Sequence, residues 1–192
     1  MAKYLRRRLI SLWHFYTVLA QHAASAPGSD DRHDAVSILI VHGPHTTTNS
    51  LSQELQRELQ QRADAAGRTL ELRACDDLQS LVVQVCAAKS DTTEFVLLGP
   101  GDLVEQVRAH PEAGFADALD KLDAPYIEVH EEFGTELKHG PGFHNTPIAT
   151  VIISGNIASG YRIGLGIALR QLDAEHRRGY FISARHINAR QF

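Results

Sequence analysis

The sequence predicts an α/β fold: a five-stranded parallel sheet with helices on both faces. Three observations carry that prediction. Short apolar runs alternate five times with segments of helical periodicity, as buried parallel strands and crossover helices do. Several runs stop at turn-forming residues, His42-Gly43-Pro44, Gly99-Pro100-Gly101 and Ser154-Gly155-Asn156. No internal repeat or low-complexity tract breaks the alternation, and a chain of 192 residues suits one domain of ordinary size.

Each element has its own signature. Val36–Val41 is a continuous apolar run, the pattern of a strand buried on both faces. Ser50-Leu51-Ser52-Gln53 has capping-box spacing, and Leu51, Leu55, Leu59 and Ala63 follow on one helical face until Gly67. Residues 69–75 alternate Leu70, Leu72 and Ala74, a strand, and Asp77 is placed to cap a helix carrying Leu78, Leu81, Val82 and Val85. Phe95–Leu98 is the third strand. Phe115, Ala118, Leu119 and Leu122 mark the third helix. Tyr126–Val129 and Thr150–Ile153 complete the strands, and a last helix starts at Ser159 and runs through Ile163 and Ile167 to about Leu172.

Composition narrows the function. Hydrophobic residues make up 43% and charged residues 22%, a soluble globular balance. The net charge of −4 is uneven: residues 1–29 hold Lys3, Arg6, Arg7 and Arg8 without an acid, so +4 there leaves −8 on the remainder. An acidic body is a poor nucleic-acid binder, because phosphate neutralisation needs clustered Lys and Arg. Cys75 and Cys86 cannot make a disulfide framework or a zinc site of their own, and their apolar surroundings predict two small buried thiols.

Residues 1–34 form an N-terminal extension, a basic segment followed by a Pro/Gly/Ser/Asp linker from Ser25 to Asp34. Leu5, Leu9, Leu12, Phe15, Tyr16 and Leu19 stand near helical spacing. That suits an amphipathic helix packed on the body or on a partner subunit, the favoured reading. A cleaved signal over residues 1–26 and contact with a membrane surface remain open. The expected location is the cytoplasm, or outside it if the segment is a signal. The domain proper spans 35–175, and 176–192 is a C-terminal tail mixing arginines with Tyr180, Phe181, Ile187 and Phe192.

In parallel sheets of this kind, ligands sit outside the carboxyl ends of the strands. The strand-end motifs "VHGP", "GPG", "PYIEVH" and "IISGNIASGYRIGLGIAL", in this order and spacing, resemble the type II 3-dehydroquinate dehydratases over about Ile38 to Leu172. The resemblance implies a flavodoxin-like sheet of order 2-1-3-4-5 and a trimer-based homo-oligomer, usually a dodecamer. It implies dehydration of 3-dehydroquinate through an enolate, with no metal and no organic cofactor. It also implies a mechanism: a lid Tyr activated by an Arg takes the proton beside the ketone, an Asn after Gly-Pro holds a water on the enolate, and a His oriented by a Glu protonates the leaving hydroxyl.

By that resemblance, His130 and Glu128 in "IEVH" are the catalytic pair, on one face of a strand end. His110 falls near a substrate-binding His, and Asp117 in "ADAL" matches an Asp that reaches a neighbouring subunit's site. Other positions depart. His45 stands for the Asn after Gly-Pro and Gly99 for the Asn of the third strand end. Glu131-Glu132 replaces an Ile-Ser pair that binds the substrate carboxylate, and Lys138 stands nearest an expected Arg. Two carboxylates at Glu131 and Glu132 would repel a carboxylate ligand. No Tyr or Arg lies between His45 and Leu55, so the lid is truncated and its base is gone.

His42, His139 and His144 invite a metal reading with the other histidines, but none shows the i,i+4 spacing of a zinc helix, and no metal is expected. Gly155 to Gly160 resembles an anion-cradling turn, a weak signal, with Tyr161 and Arg162 assigned to the helix start. Three functions follow: a non-catalytic scaffold, an enzyme of altered chemistry on a small polar ligand, and a working dehydratase with a base from outside the lid.

Overall fold

The structure, a computed structural model, describes residues 36–45, 51–88, 93–137 and 145–188, with side chains from Ser37 to His176. The N-terminal extension, Lys138, His139, His144 and the tail side chains lie outside these residues. The elements follow one another as β1 (Val36–His42), α1 (Gln53–Ala65), β2 (Leu70–Ala74), α2 (Leu78–Ala87), β3 (Thr93–Gly99), α3 (Leu103–Ala109), a 3-10 turn (Pro111–Ala113), α4 (Phe115–Asp120), β4 (Tyr126–His130), β5 (Ala149–Ile152) and α5 (Ile157–Asn188). The sheet has the order β2-β1-β3-β4-β5, and every pairing is parallel. This is the flavodoxin-like order.

Strand alternation explains the continuous apolar runs. Leu39, Val41, Val96, Leu98 and Tyr126 face one core, closed by Leu78, Leu81 and Val85 of α2 with Leu103, Phe115 and Leu119. Ile38, Ile40, Phe95, Leu97, Ile127 and Val129 face the other, closed by Leu55 and Leu59 of α1 and by Tyr161, Leu165 and Leu172 of α5. Parity also places polar residues at the strand ends. His42 and Gly99 continue the α1/α5 face, whereas Glu128 and His130 continue the α2/α4 face.

Several boundaries differ from expectation. The α1 cap is Ser52, whose Oγ accepts the Leu55 N–H at 3.2 Å, rather than Ser50, which lies outside the described residues. Asp77 caps α2 as expected: its Oδ1 accepts the Ser80 N–H at 2.7 Å while its own N–H donates to Ser80 Oγ at 3.2 Å. The short α3 was not anticipated, because its seven residues offer less than two turns of periodicity and Asp102 makes no side-chain cap. Asn156, not Ser159, heads α5, its Oδ1 accepting the Ser159 N–H at 2.9 Å. The helix then continues to Asn188 instead of ending near Leu172, since good helix formers follow and Gly179 is tolerated inside it. Cys75 is buried and its thiol pKa is pushed up to about 11 by burial. Cys86 is exposed, a correction to the expected buried pair: one residue past Val85 the helix has turned about 100° away from the core. Among the described residues no helix is long and apolar enough to cross a membrane.

The loops leaving β1 and β3 interlock and set the floor of the strand-end region. Gly43 N–H donates to the Gly99 carbonyl at 2.8 Å, and Asp102 N–H donates to the Pro44 carbonyl at 2.8 Å. Gly101 takes a φ of 57°, and a Cβ there would collide with the Pro44 carbonyl. Gly114 offers a control, with a φ of 81° and nothing within 4 Å of a built Cβ. Gly114→Ala is therefore expected to cost about 1–2 kcal/mol from backbone conformation alone. Gly101→Ala is expected to cost a further ~1–3 kcal/mol from the clash. Urea unfolding should show a lower midpoint for Gly101→Ala at unchanged slope. Equal midpoints would contradict the interlock.

Candidate active site

Two histidine–glutamate pairs stand at the carboxyl ends of the strands. In the first, His130 Nε2 lies 3.1 Å from Glu128 Oε2, and both side chains are buried. A carboxylate oxygen only accepts, so the ring donates through Nε2. The Leu137 N–H also approaches Glu128 Oε2 at 3.4 Å, fixing the carboxylate. The other ring nitrogen, Nδ1, has a long 3.5 Å contact to Thr135 Oγ1, whose hydroxyl is already donated to the Glu132 carbonyl at 2.6 Å. Nδ1 is thus the nitrogen of His130 not tied up by a strong partner.

The second pair joins two loops. His45 Nδ1 lies 3.1 Å from Glu131 Oε2, and Glu131 Oε1 accepts the Ile157 N–H, the first residue of α5, at 3.3 Å. The helix start suits an anion there. His45 stacks on His42, with ring centroids 4.7 Å apart and planes at 18°. His42 Nδ1 in turn lies 2.9 Å from the hydroxyl of Tyr161. That phenol sits directly above Gly99, where a Cβ would collide with its hydroxyl. Gly99 is small because Tyr161 needs the space.

Burial sets the charge states. It lowers the His42 pKa to about 4, with His45 beside it adding to the effect. It lowers His45 too, more than Glu131 and Asp102 raise it, while His130 lowers it further. Burial pushes Tyr161 well above the usual phenol range, so this tyrosine keeps its proton and serves as a donor. His42 Nε2 and His45 Nε2 are buried without a protein hydrogen-bond partner. Each such atom costs about 1–3 kcal/mol while it stays unpaired.

The remaining sequence candidates are spread out. His110 closes α3 at the surface and pairs with Glu112 at 3.0 Å. Asp117 is exposed in the first turn of α4. Glu132 is exposed and does not act with Glu131, which turns inward onto His45. Lys138 lies outside the described residues. Arg162, assigned to the helix start, makes a two-pronged contact with Glu58 at 2.7–3.0 Å on the outer side of α1. Among the described residues no group of three or more His, Cys, Asp or Glu side chains is disposed to hold a metal ion. Sequence reasoning missed His42 and Tyr161 as parts of this cluster. The parity of His42 with Ile38 and Ile40, and a glycine at position 99, were the available signals.

Comparison with known proteins bears on this geometry. The chain is 31% identical over 152 residues to 3-dehydroquinate dehydratase 1 of Pseudomonas putida, covering 72% of this chain and 95% of that protein. It is 30% identical over 151 residues to 3-dehydroquinate dehydratase of Stutzerimonas stutzeri, covering 72% and 98%. The chain belongs to the type II 3-dehydroquinate dehydratase family. The crystal structure of type II dehydroquinase from Propionibacterium acnes shares the fold, with a TM-score of 0.51, 24% identity and coverage of 70% and 98%. So does a 3-dehydroquinate dehydratase-like protein from Bifidobacterium longum, with a TM-score of 0.50, 20% identity and coverage of 72% and 98%. No family model matches the chain.

The site makes a pH prediction independent of any ligand. Native His42 takes up a proton only near pH 4, whereas the unfolded chain does so near 6.5. Stability from the neutral ring is therefore full above pH 6.5 and falls as pH drops towards 4. The loss is expected to reach about 3 kcal/mol, since one unit is worth 1.36 kcal/mol. NMR should find the His42 ring neutral at pH 5.5. A midpoint near 6.5 would contradict its burial.

Proposed function

We propose that this chain has altered or lost dehydratase activity and binds a small polar ligand between its two histidine–glutamate pairs. The observation that supports this most is the His45–Glu131 pair at strand-end positions next to His130. In this reading His130, held by Glu128, is the general acid. To act as an acid from Nδ1 the ring must carry a proton on both nitrogens, with the Nε2 proton staying directed at Glu128, and Thr135 is the group nearest Nδ1. The lid Tyr and Arg of the family have no counterpart between His45 and Leu55. Tyr161 is no substitute, because burial holds it protonated. Glu131 further disfavours a carboxylate ligand close to the α5 start.

The second reading, an active dehydratase with a base from elsewhere, is favoured by one observation: His45 is an imidazole with one buried nitrogen still unpaired. As a proposal, the chain works in the cytoplasm as a trimer-based homo-oligomer. The acidic body, the basic termini and Asp117 in the family's position motivate that assembly. Light scattering at micromolar concentration should show a multimer, and a stable monomer would sink it.

The decisive assay is dehydration of 3-dehydroquinate by the purified full chain. Losing a general base removes about 10²–10⁴-fold in rate. Losing a donor to the enolate oxygen removes roughly another 10²–10³, although such losses do not simply add. Turnover is expected to be very weak or undetectable. A value of about one per second, inside the ordinary enzyme range, would establish the second reading instead.

A further inference from the structure

His130 is only 2% exposed, so a ligand reaches it only if something above it moves. The group standing over its Nδ1 is Thr135, whose Oγ1 lies 3.5 Å away. We propose that residues 132–136 form a gate over Nδ1 of His130 and that Arg108 of α3 is the latch that holds it shut. The inference rests on the reading above, that His130 serves a ligand at the strand ends. Arg108 donates through Nη2 to the Gly134 carbonyl at 2.5 Å and to the Glu136 carbonyl at 3.1 Å. Its Nη1 is held by Glu105 Oε1 at 2.6 Å, one helical turn earlier on α3. One guanidinium thus grips the loop on both sides of Thr135, 26 and 28 residues further along the chain. Hydrogen bonds from a charged donor are stronger than neutral ones, but Arg108 is itself 31% exposed, which keeps the latch releasable.

The rest of the loop is built to move. Its two ends are pinned: the Glu131 carbonyl accepts the Gly155 N–H at 3.3 Å, and the Leu137 N–H points to Glu128 Oε2 at 3.4 Å. Between those ends, among the described residues, no backbone group of 132–136 bonds to backbone elsewhere. Thr135 Oγ1 donates to the Glu132 carbonyl at 2.6 Å, a bond inside the loop that opening need not break. Phe133 at the tip is 79% exposed, so the closed loop buries little apolar surface there and loses little on opening. Gly134 takes a φ of 85° with nothing within 4 Å of a built Cβ, a backbone position free to turn as a hinge. A gate of this kind admits a ligand through its open fraction and, when closed, keeps water from the acid.

The test uses the full chain without ligand. Hydrogen exchange followed by NMR reads opening at the Leu137 amide. Diethyl pyrocarbonate in mildly alkaline buffer acylates whichever neutral imidazole nitrogen it reaches. In His130 that nitrogen is Nδ1, because Nε2 keeps its proton towards Glu128. Arg108→Met is expected to speed both readouts about tenfold or more, as losing hydrogen bonds from a charged donor implies. Gly134→Ala should speed them roughly tenfold as well, since alanine disfavours the φ of the closed loop. His42 is buried on the opposite sheet face and is the control, with the same slow acylation expected in all three proteins. Unchanged Leu137 exchange in Arg108→Met overturns the latch, and unchanged exchange in both variants overturns the gate; the ligand reading stands in either case. Faster exchange with His130 still unreactive overturns both the gate and that reading, because the open loop would uncover no usable nitrogen. An equal rise at His42 also overturns the gate, since the whole fold would then be loosening.

Discussion

Everything above the sheet depends on two backbone hydrogen bonds between the loops that leave β1 and β3. The bonds from Gly43 to Gly99 and from Asp102 to Pro44 bring two main chains into contact, with no room for a Cβ at Gly101. Pro44 limits the turn further by fixing its own φ. His45 follows directly, so its backbone is placed by the rigid end of the sheet. A loop residue that is only 3% exposed is unusual, and the interlock is the reason. The same contact sets the end of β3, where Gly99 leaves space for Tyr161 and Tyr161 reaches His42. Backbone geometry at the carboxyl end of the two central strands therefore helps place three side chains, His42, His45 and Tyr161.

Burying that many polar rings has a cost, and the charges are arranged to limit it. His130 is matched by Glu128 and His45 by Glu131, while His42 has only a phenol and stays neutral. Removing an ionic partner from such a pair would leave an uncompensated buried charge, a costlier state than the pair itself. Glu131 is satisfied on both oxygens, by His45 and by the first N–H of α5. Among the described residues, the buried side-chain atoms without a protein partner are Nε2 of His42 and of His45. Unpaired buried polar atoms are rare in native proteins and concentrate where a ligand or a reaction completes them.

Much of this was legible in the sequence. Continuous apolar runs gave away strands buried on both faces, and the turn residues located their carboxyl ends. The two-residue step from Glu128 to His130 put both on one face, where they meet. What could not be seen is physical as well. A seven-residue helix such as α3 leaves too little periodicity, and Cys86 differs from Val85 only by one helical step. Glu131 and Glu132 look alike as a doublet, yet a residue alternation at a strand end sends one inward and leaves the other exposed. The partner of Glu131 is 86 residues away in the chain, so only the folded sheet reveals it. Tyr161 follows the same rule, 119 residues from His42.

The partly buried Glu131 ties selectivity to the orientation of His45. With His45 neutral, the pair carries the net negative charge of its carboxylate, in surroundings where like charges interact more strongly than in water. A ligand bearing its own carboxylate must approach that charge, whereas a neutral hydroxylated ligand need not. Yet the carboxylate that repels such an anion is the group that places the proton on Nδ1 of His45 and frees Nε2. Removing it would admit an anionic ligand more readily and, in the same step, dissolve the orientation of the imidazole. Tolerance for a carboxylate ligand and an oriented imidazole at this position are therefore opposed through one side chain.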